Sequence, residues 1–221
     1  MSDPRPARPP SHAFPPHLSP GLAGKPGALR FPNDNLELYM VKGFVTPEDC
    51  AGLVALIDAG CRPSTIADDN GQDTAFRTSS TCDLDGADPL VGAINLRICS
   101  ITGLSPSHGE PVQGQRYLVG QEFKPHTDYF EPDGRDYQTY CGIAGQRTWT
   151  AMIYLNQPIE GGATGFPHLK MAVRAELGVM LAWNNLDATG KPNPWTLHHG
   201  MKVEQGAKYV ITKWFRERSW R

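Results

Sequence analysis

The order of patterns along this chain predicts an α+β, β-rich fold, with N-terminal helices covering one face of an antiparallel β-barrel or sandwich. Three observations predict it. Two segments before residue 104 carry helix caps followed by apolar residues at helical spacing. From Tyr117 onward the texture changes to short β-branched and aromatic runs split by Gly, Pro and Asn. The last of these runs, 208–215, separates by alternation into two faces. Helices first and strands after is the order expected when helices pack on one side of a sheet.

Residues 1–30 hold eight prolines among Arg, Ser, Gly and two histidines, with no apolar period. Such a segment buries too little surface to offset its ordering entropy and is expected to be a mobile tail, with His12 and His17 as ordinary tail residues. The folded domain is expected over 31–221. Leu36 to Phe44 reads as a strand. Thr46-Pro47-Glu48-Asp49 then opens a helix: a hydroxyl cap, proline at the first helical position, and acids in the first turn. Cys50, Leu53, Val54 and Ile57 follow at helical spacing, and Gly60 stops the run. A second helix opens at Asp88-Pro89 and runs through Leu90, Val91, Ile94 and Ile98 to Gly103. Both helices are expected only to pack on a sheet. The strands expected after them are 117–119, 122–128, 148–155, 179–183, 195–203 and 208–215. Glu204-Gln205-Gly206-Ala207 reads as a hairpin turn joining the last two.

A chain of 221 residues suits one domain, since roughly 100–200 residues is usual. The net charge of −2 gives no electrostatic case for nucleic acid or an anionic membrane as partner. No apolar run approaches the roughly 18 residues of a membrane-spanning helix, and no signal-peptide pattern opens the chain. The five cysteines, Cys50, Cys61, Cys82, Cys99 and Cys141, are odd in number and lack paired metal spacing. They are expected as half-buried thiols in a reducing, cytoplasmic setting. Oligomeric state is not legible.

The candidate chemistry lies in His126-Thr127-Asp128, followed by His198 and Lys208. In an extended strand, residues i and i+2 share a face, so His126 and Asp128 can grip one ion together. Two histidines and a carboxylate form the three-cornered set that holds a catalytic ferrous ion and leaves positions open for co-substrate and oxygen. Alternation puts Lys208, Val210, Thr212 and Trp214 on one face of the last strand. If that face lines the barrel, Lys208 is a buried ammonium needing an anionic partner, because an unpaired one costs several kcal/mol. A bound dicarboxylate would serve, and the expected hairpin sets Lys208 beside His198. Gly161-Gly162 is expected to be a tight turn rather than a phosphate cradle, since no helix start or Lys-Ser/Thr follows. A zinc hydrolase could use the same three ligands, but it would need a general base near the metal and has no reason to bury Lys208. Intact ligands and the retained lysine also argue against a non-catalytic metal-binding module.

These residues resemble the prolyl 4-hydroxylase family of 2-oxoglutarate- and Fe(II)-dependent dioxygenases. The resemblance runs from about Phe76 to Phe215, and more loosely from Leu36. It rests on Phe76-Arg77-Thr78-Ser79-Ser80 and on Tyr117-x-x-Gly120-Gln121-x-Phe123-x-x-His126-x-Asp128-Tyr129-Phe130. It continues through Gly145-Gln146-Arg147-Thr148, Tyr154-Leu155-Asn156 and Gly161-Gly162-x-Thr164-x-Phe166-Pro167. His198-x-Gly200, Gly206-x-Lys208-Tyr209 and Lys213-Trp214 complete it. The resemblance implies a double-stranded β-helix, a jelly-roll or cupin-like barrel, with iron on His126, Asp128 and His198. It implies 2-oxoglutarate and O2 as co-substrates, ascorbate as reductant, and Lys208 on the far carboxylate of 2-oxoglutarate. Tyr117, Tyr154 and Thr164 would supply hydrogen bonds to it, and Arg147 and Trp214 would meet the substrate. Arg77, read from its residue type, is either a substrate-side cation or half of a structural salt bridge. The implied reaction is hydroxylation of a prolyl residue in a peptide or protein, releasing succinate and CO2. Free proline, another amino acid or a non-prolyl side chain is the alternative substrate. Arg147 and Tyr154 are seven apart, so both can face inward only across a bulge or loop. Phe123, Ala163, Met201-Lys202 and Arg216 depart from the family pattern, where tyrosine, glutamate, Cys-Pro and histidine are frequent. None of them is a metal ligand.

Overall fold

The structure is a computed structural model describing residues 21–64, 76–134 and 137–220. Its helices are α1 (Pro47–Gly60), α2 (Pro89–Thr102) and the short α3 (Tyr137–Cys141). The strands in chain order are β1 (Ala28–Arg30), β2 (Leu38–Val41), β3 (Arg62–Pro63), β4 (Ser80–Asp83), β5 (Gln113–Tyr117), β6 (Phe123–His126) and β7 (Arg147–Tyr154). They continue as β8 (Glu160–Gly161), β9 (Thr164–Phe166), β10 (Met171–Val173), β11 (Met180–Asn184), β12 (His198–Gly200), β13 (Val203–Gln205) and β14 (Lys208–Arg216). An eight-stranded sheet has the order β1-β2-β11-β7-β14-β5-β4-β3, and a four-stranded sheet has the order β10-β9-β12-β6. β13 and β8 form a separate pair.

Both long helices form where the caps predict. The Thr46 hydroxyl accepts from the Asp49 N–H at 3.1 Å, and the Asp88 carboxylate accepts from Leu90 and Val91. Gly103 closes α2 in the left-handed region, at φ 72°, where a residue without Cβ carries no steric penalty. The helices bury Leu53, Ile57, Val91, Ile94 and Ile98 against one face of the large sheet, among Trp149, Ala151, Ile153, Ile211 and Phe215. Alternation sends the intervening residues to the opposite face. There Met152, Tyr154, Leu181, Trp183 and Val210 pack against Phe166 and Val173 of the small sheet, closing a barrel. Each such apolar side chain contributes on the order of 1.5–3 kcal/mol, so two cores, one outside and one inside the barrel, hold the central strands β7 and β14 from both faces.

Three expectations change, and one expected irregularity is located. The tail was expected to reach residue 30; residues 1–20 lie outside those described, but Leu22 is fully buried and Ala28–Arg30 pairs with β2. The expected strand over 195–203 divides into a 3-10 turn at Pro194–Thr196 and the separate strands β12 and β13. The expected hairpin does not form. Both edges of β14 are taken, by β5 and β7, so β13 pairs with β8 instead. Gly206, at φ 86°, turns the chain into the large sheet. Finally, a bulge resolves the spacing of Arg147 and Tyr154. Trp149 lies opposite Phe215 while Arg147 lies opposite Arg216, so Thr148 is the extra residue and the strand's start rotates.

Candidate active site

His126 and His198 stand directly opposite each other where β6 pairs with β12. β6 ends at His126, so Asp128 lies just beyond the strand rather than on it as expected; the chain bends there and still delivers its carboxylate. The Asp128 oxygens lie 4.0 Å from His126 Nε2 and 3.8 Å from His198 Nε2, and one ligand atom from each of the three lies within 4.8 Å of the others. His126 Nδ1 sits 2.8 Å from the Lys124 carbonyl, and His198 Nδ1 sits 2.8 Å from that of Thr196. A ring whose Nδ1–H is held by a carbonyl presents a bare Nε2. Burial, reinforced by His198, pushes the His126 imidazole down to about 3, keeping it neutral.

Asp128 is fixed from the opposite sheet. The Thr150 hydroxyl donates to Oδ2 at 2.7 Å and itself accepts from Asn185 Nδ2 at 2.9 Å. Burial alone would raise the Asp128 carboxyl, but His198, His126, Arg147 and the Thr150 hydroxyl together hold it below the usual carboxylate range. Phe123 stacks on His126 with centroids 3.5 Å apart, and the Arg77 guanidinium lies 4.7 Å above Phe123. Two imidazoles that present Nε2 and one ionised carboxylate, converging with a cavity on their free side, fit a ferrous ion.

Lys208 meets this triad from the other wall. It opens β14, not a hairpin beside β12, and pairs with Tyr117 of β5. The cavity lined by His126, Asp128 and His198 is also lined by Lys208, Thr164 and Tyr117. Lys208 is 2% exposed. Its Nζ lies 5.2 and 5.5 Å from the ring centroids of Tyr117 and Tyr154, and among the described residues no acid faces it. Burial pushes its ammonium down to about 7. A buried cation awaiting an anion is what a carboxylate of 2-oxoglutarate would satisfy. The Tyr154 hydroxyl donates to Thr164 Oγ1 at 2.7 Å, and the Tyr117 hydroxyl donates to Gln115 Oε1 at 2.9 Å. Both hydroxyls are already engaged, and of the two rings Tyr117 lines the cavity.

An outer cleft of about 520 Å³ opens from the triad to the surface. Arg77, Arg147 and Trp214 all line it. Arg147 is not free there. Glu110 accepts from its Nε at 2.7 Å and from Nη2 at 2.8 Å, and its guanidinium stacks 4.0 Å from the Trp214 ring. Glu110 also accepts from Arg216 at 3.0 Å, while Lys213 Nζ donates to the Glu110 carbonyl. Burial alone would push the Glu110 carboxyl up; the two guanidiniums outweigh it and hold it below the usual range. Sequence reasoning missed Glu110, which lies 37 residues from Arg147 and 106 from Arg216. No periodicity or motif links those positions. Arg77 donates to Ser79 and Thr81, and among the described residues no acid pairs with it.

Residues 112–216 match the family model of the 2OG-Fe(II) oxygenase superfamily. The chain is 29% identical to Prolyl 4-hydroxylase 2 of Arabidopsis thaliana, over 89% of this chain and 72% of that one. It is 33% identical to Prolyl 4-hydroxylase 5 of the same plant, over 78% of this chain and 65% of that one, so it spans about two thirds of such relatives. Among solved structures, the viral collagen prolyl hydroxylase of Paramecium Bursaria Chlorella virus-1, in its 2OG complex, superposes with TM-score 0.63 and 27% identity. That match covers 81% of this chain and 95% of the viral one. Its double-stranded β-helix is the barrel described above. The chain therefore belongs to the prolyl 4-hydroxylase family of the 2-oxoglutarate/Fe(II) oxygenases and is a dioxygenase that uses Fe(II), 2-oxoglutarate and O2.

Proposed function

We propose that this enzyme hydroxylates a prolyl residue of a peptide or protein, with His126, Asp128 and His198 as metal ligands and Lys208 as the anchor for the far carboxylate of 2-oxoglutarate. The observation that carries the reading is the Lys208 ammonium, facing no acid among the described residues, across one cavity from the triad. When bound, iron and 2-oxoglutarate supply the oxidation: one oxygen atom leaves in succinate, with carbon dioxide, and the other enters a substrate C–H bond. The chain supplies position and dryness. Thr150 holds the Asp128 carboxylate in place, and the Lys124 and Thr196 carbonyls fix both imidazoles. Lys208, with Thr164, Tyr154 and Tyr117 around it, sets where the dicarboxylate lies. Trp183 and Phe166 pack against His198 and keep water off it.

Substrate enters by the outer cleft, where Trp214, Arg147 and Arg77 surround the approach. Prolyl specificity is supported by the relatives' activity. Ascorbate is the reductant we assign, and a cytoplasmic setting suits five unpaired thiols. The test is mass spectrometry of proline-containing peptides and of free proline incubated with enzyme, Fe(II), ascorbate and 2-oxoglutarate. A gain of one oxygen on the peptides, matched by succinate, is expected. Oxidation of free proline alone would move the substrate assignment, and no succinate under any condition would end it.

A further inference from the structure

We propose that this enzyme also hydroxylates prolyl residues of its own N-terminal segment, residues 1–20, presented in cis to the outer cleft. The inference rests on the prolyl reading above and supplies one substrate for it. Residues 1–20 include Pro4, Pro6, the Pro9-Pro10 pair and the Pro15-Pro16 pair.

The point where this segment joins the fold is fixed. Gly21 N–H donates to the Thr102 carbonyl at the end of α2, and Leu22 is buried. The segment following Thr102 runs directly to the cleft. The Ser107 carbonyl accepts from Trp220 N–H at 2.7 Å, and His108 Nδ1 lies 3.2 Å from the Arg216 carbonyl. Trp220 and Arg216 both line the cleft. The proline-rich segment therefore starts from the same short stretch that carries one wall of the substrate entrance.

Chain length allows the reach. The five steps from Thr102 to Ser107 span at most roughly 18 Å. Pro9 and Pro10 are separated from Gly21 by enough residues to extend about 35 Å at polyproline rise.

The cleft suits such an occupant. Phe130 and Tyr140 stack at 5.0 Å beside Trp220, and aromatic-lined grooves take polyproline segments. A substrate tethered this closely has an effective concentration of order millimolar, so weak intrinsic binding is enough. One 2-oxoglutarate, one O2 and one prolyl C–H give succinate, carbon dioxide and prolyl C–OH, and the step needs no other reactant.

The full chain is incubated in air with Fe(II), ascorbate and 2-oxoglutarate beside an added proline-rich peptide, then digested and read by mass spectrometry. We expect a gain of one oxygen on the fragment carrying Pro9 and Pro10, at a first-order rate unchanged over about 100-fold dilution. Asp128→Ala shows none. The double substitution Pro9→Ala, Pro10→Ala removes the gain from that fragment while the added peptide still turns over. An oxidised peptide beside an unmodified segment overturns this proposal alone, as does a rate that falls with dilution. Succinate formation with neither target oxidised overturns the prolyl reading and this inference together.

Discussion

Replacing Lys208 with methionine should stabilise the apoprotein and weaken 2-oxoglutarate binding. The ammonium is 2% exposed, and burial alone brings it from 10.5 down to about 7. Linkage fixes the sign. Between those two values the unfolded chain holds a proton that the folded chain does not, so stability rises with pH across that window and the full penalty applies below it. At pH 7 the difference amounts to roughly 4 kcal/mol against the folded state. For a chain of this size that corresponds to about 10 °C in melting temperature, an upper bound because water entering the cavity relieves part of it. Lys208→Met keeps much of the length and removes the charge. Calorimetry of chelator-treated protein should show a higher melting temperature for the variant, and its rise with pH between about 7 and 10 should vanish. Succinate assays should show KM for 2-oxoglutarate raised by about two to nearly four decades, matching the roughly 3–5 kcal/mol lost when one member of a buried pair is removed. An apoprotein no more stable than wild type, together with an unchanged KM, would refute the placement of an unpartnered ammonium in the co-substrate cavity.

Thr150→Val should weaken iron binding about 10–100-fold by freeing the Asp128 carboxylate, measured by metal titration, with k cat restored at saturating Fe(II). Glu110→Gln leaves Arg147 and Arg216 without their carboxylate and should cost about 3–5 kcal/mol, read as a lower melting temperature. Because the Glu110 carboxyl is held below its ordinary value, its contribution is complete above about pH 4.5 and is lost as pH falls further; the variant's acid unfolding curve should lack that component. Gly114→Ala drives a Cβ into Ile57 of α1 and should destabilise by about 1–3 kcal/mol, leaving KM for 2-oxoglutarate unchanged.

The helices were legible because their signals are local: a hydroxyl or carboxylate cap, a proline beside it, and apolar residues at fixed spacing. The faces of β14 were legible too, with Lys208, Val210, Thr212 and Trp214 all lining the inner cavity. The triad could be read from residue chemistry, although Asp128 lies past the strand end. What failed depended on partners far along the chain. A turn motif at Gly206 looks the same whether the strands beside it pair with each other or, as here, with β8, β5 and β7. The order of residues 21–30 comes from Leu22 entering the helix–sheet core and from β1 adding to the edge of a sheet. Glu110 is defined by two guanidiniums brought to it by folding.

The proposed metal ligands belong to the small sheet and the loop after β6, whereas the ammonium belongs to the large sheet. A co-substrate gripped at both ends is therefore a crossbar bolted between two leaves of the barrel. Its arrival should quiet the breathing of the smaller leaf, so that amide exchange in β6, β9 and β12 slows when a non-reactive analogue is added, while α1 and α2, on the far side of the large leaf, exchange as before.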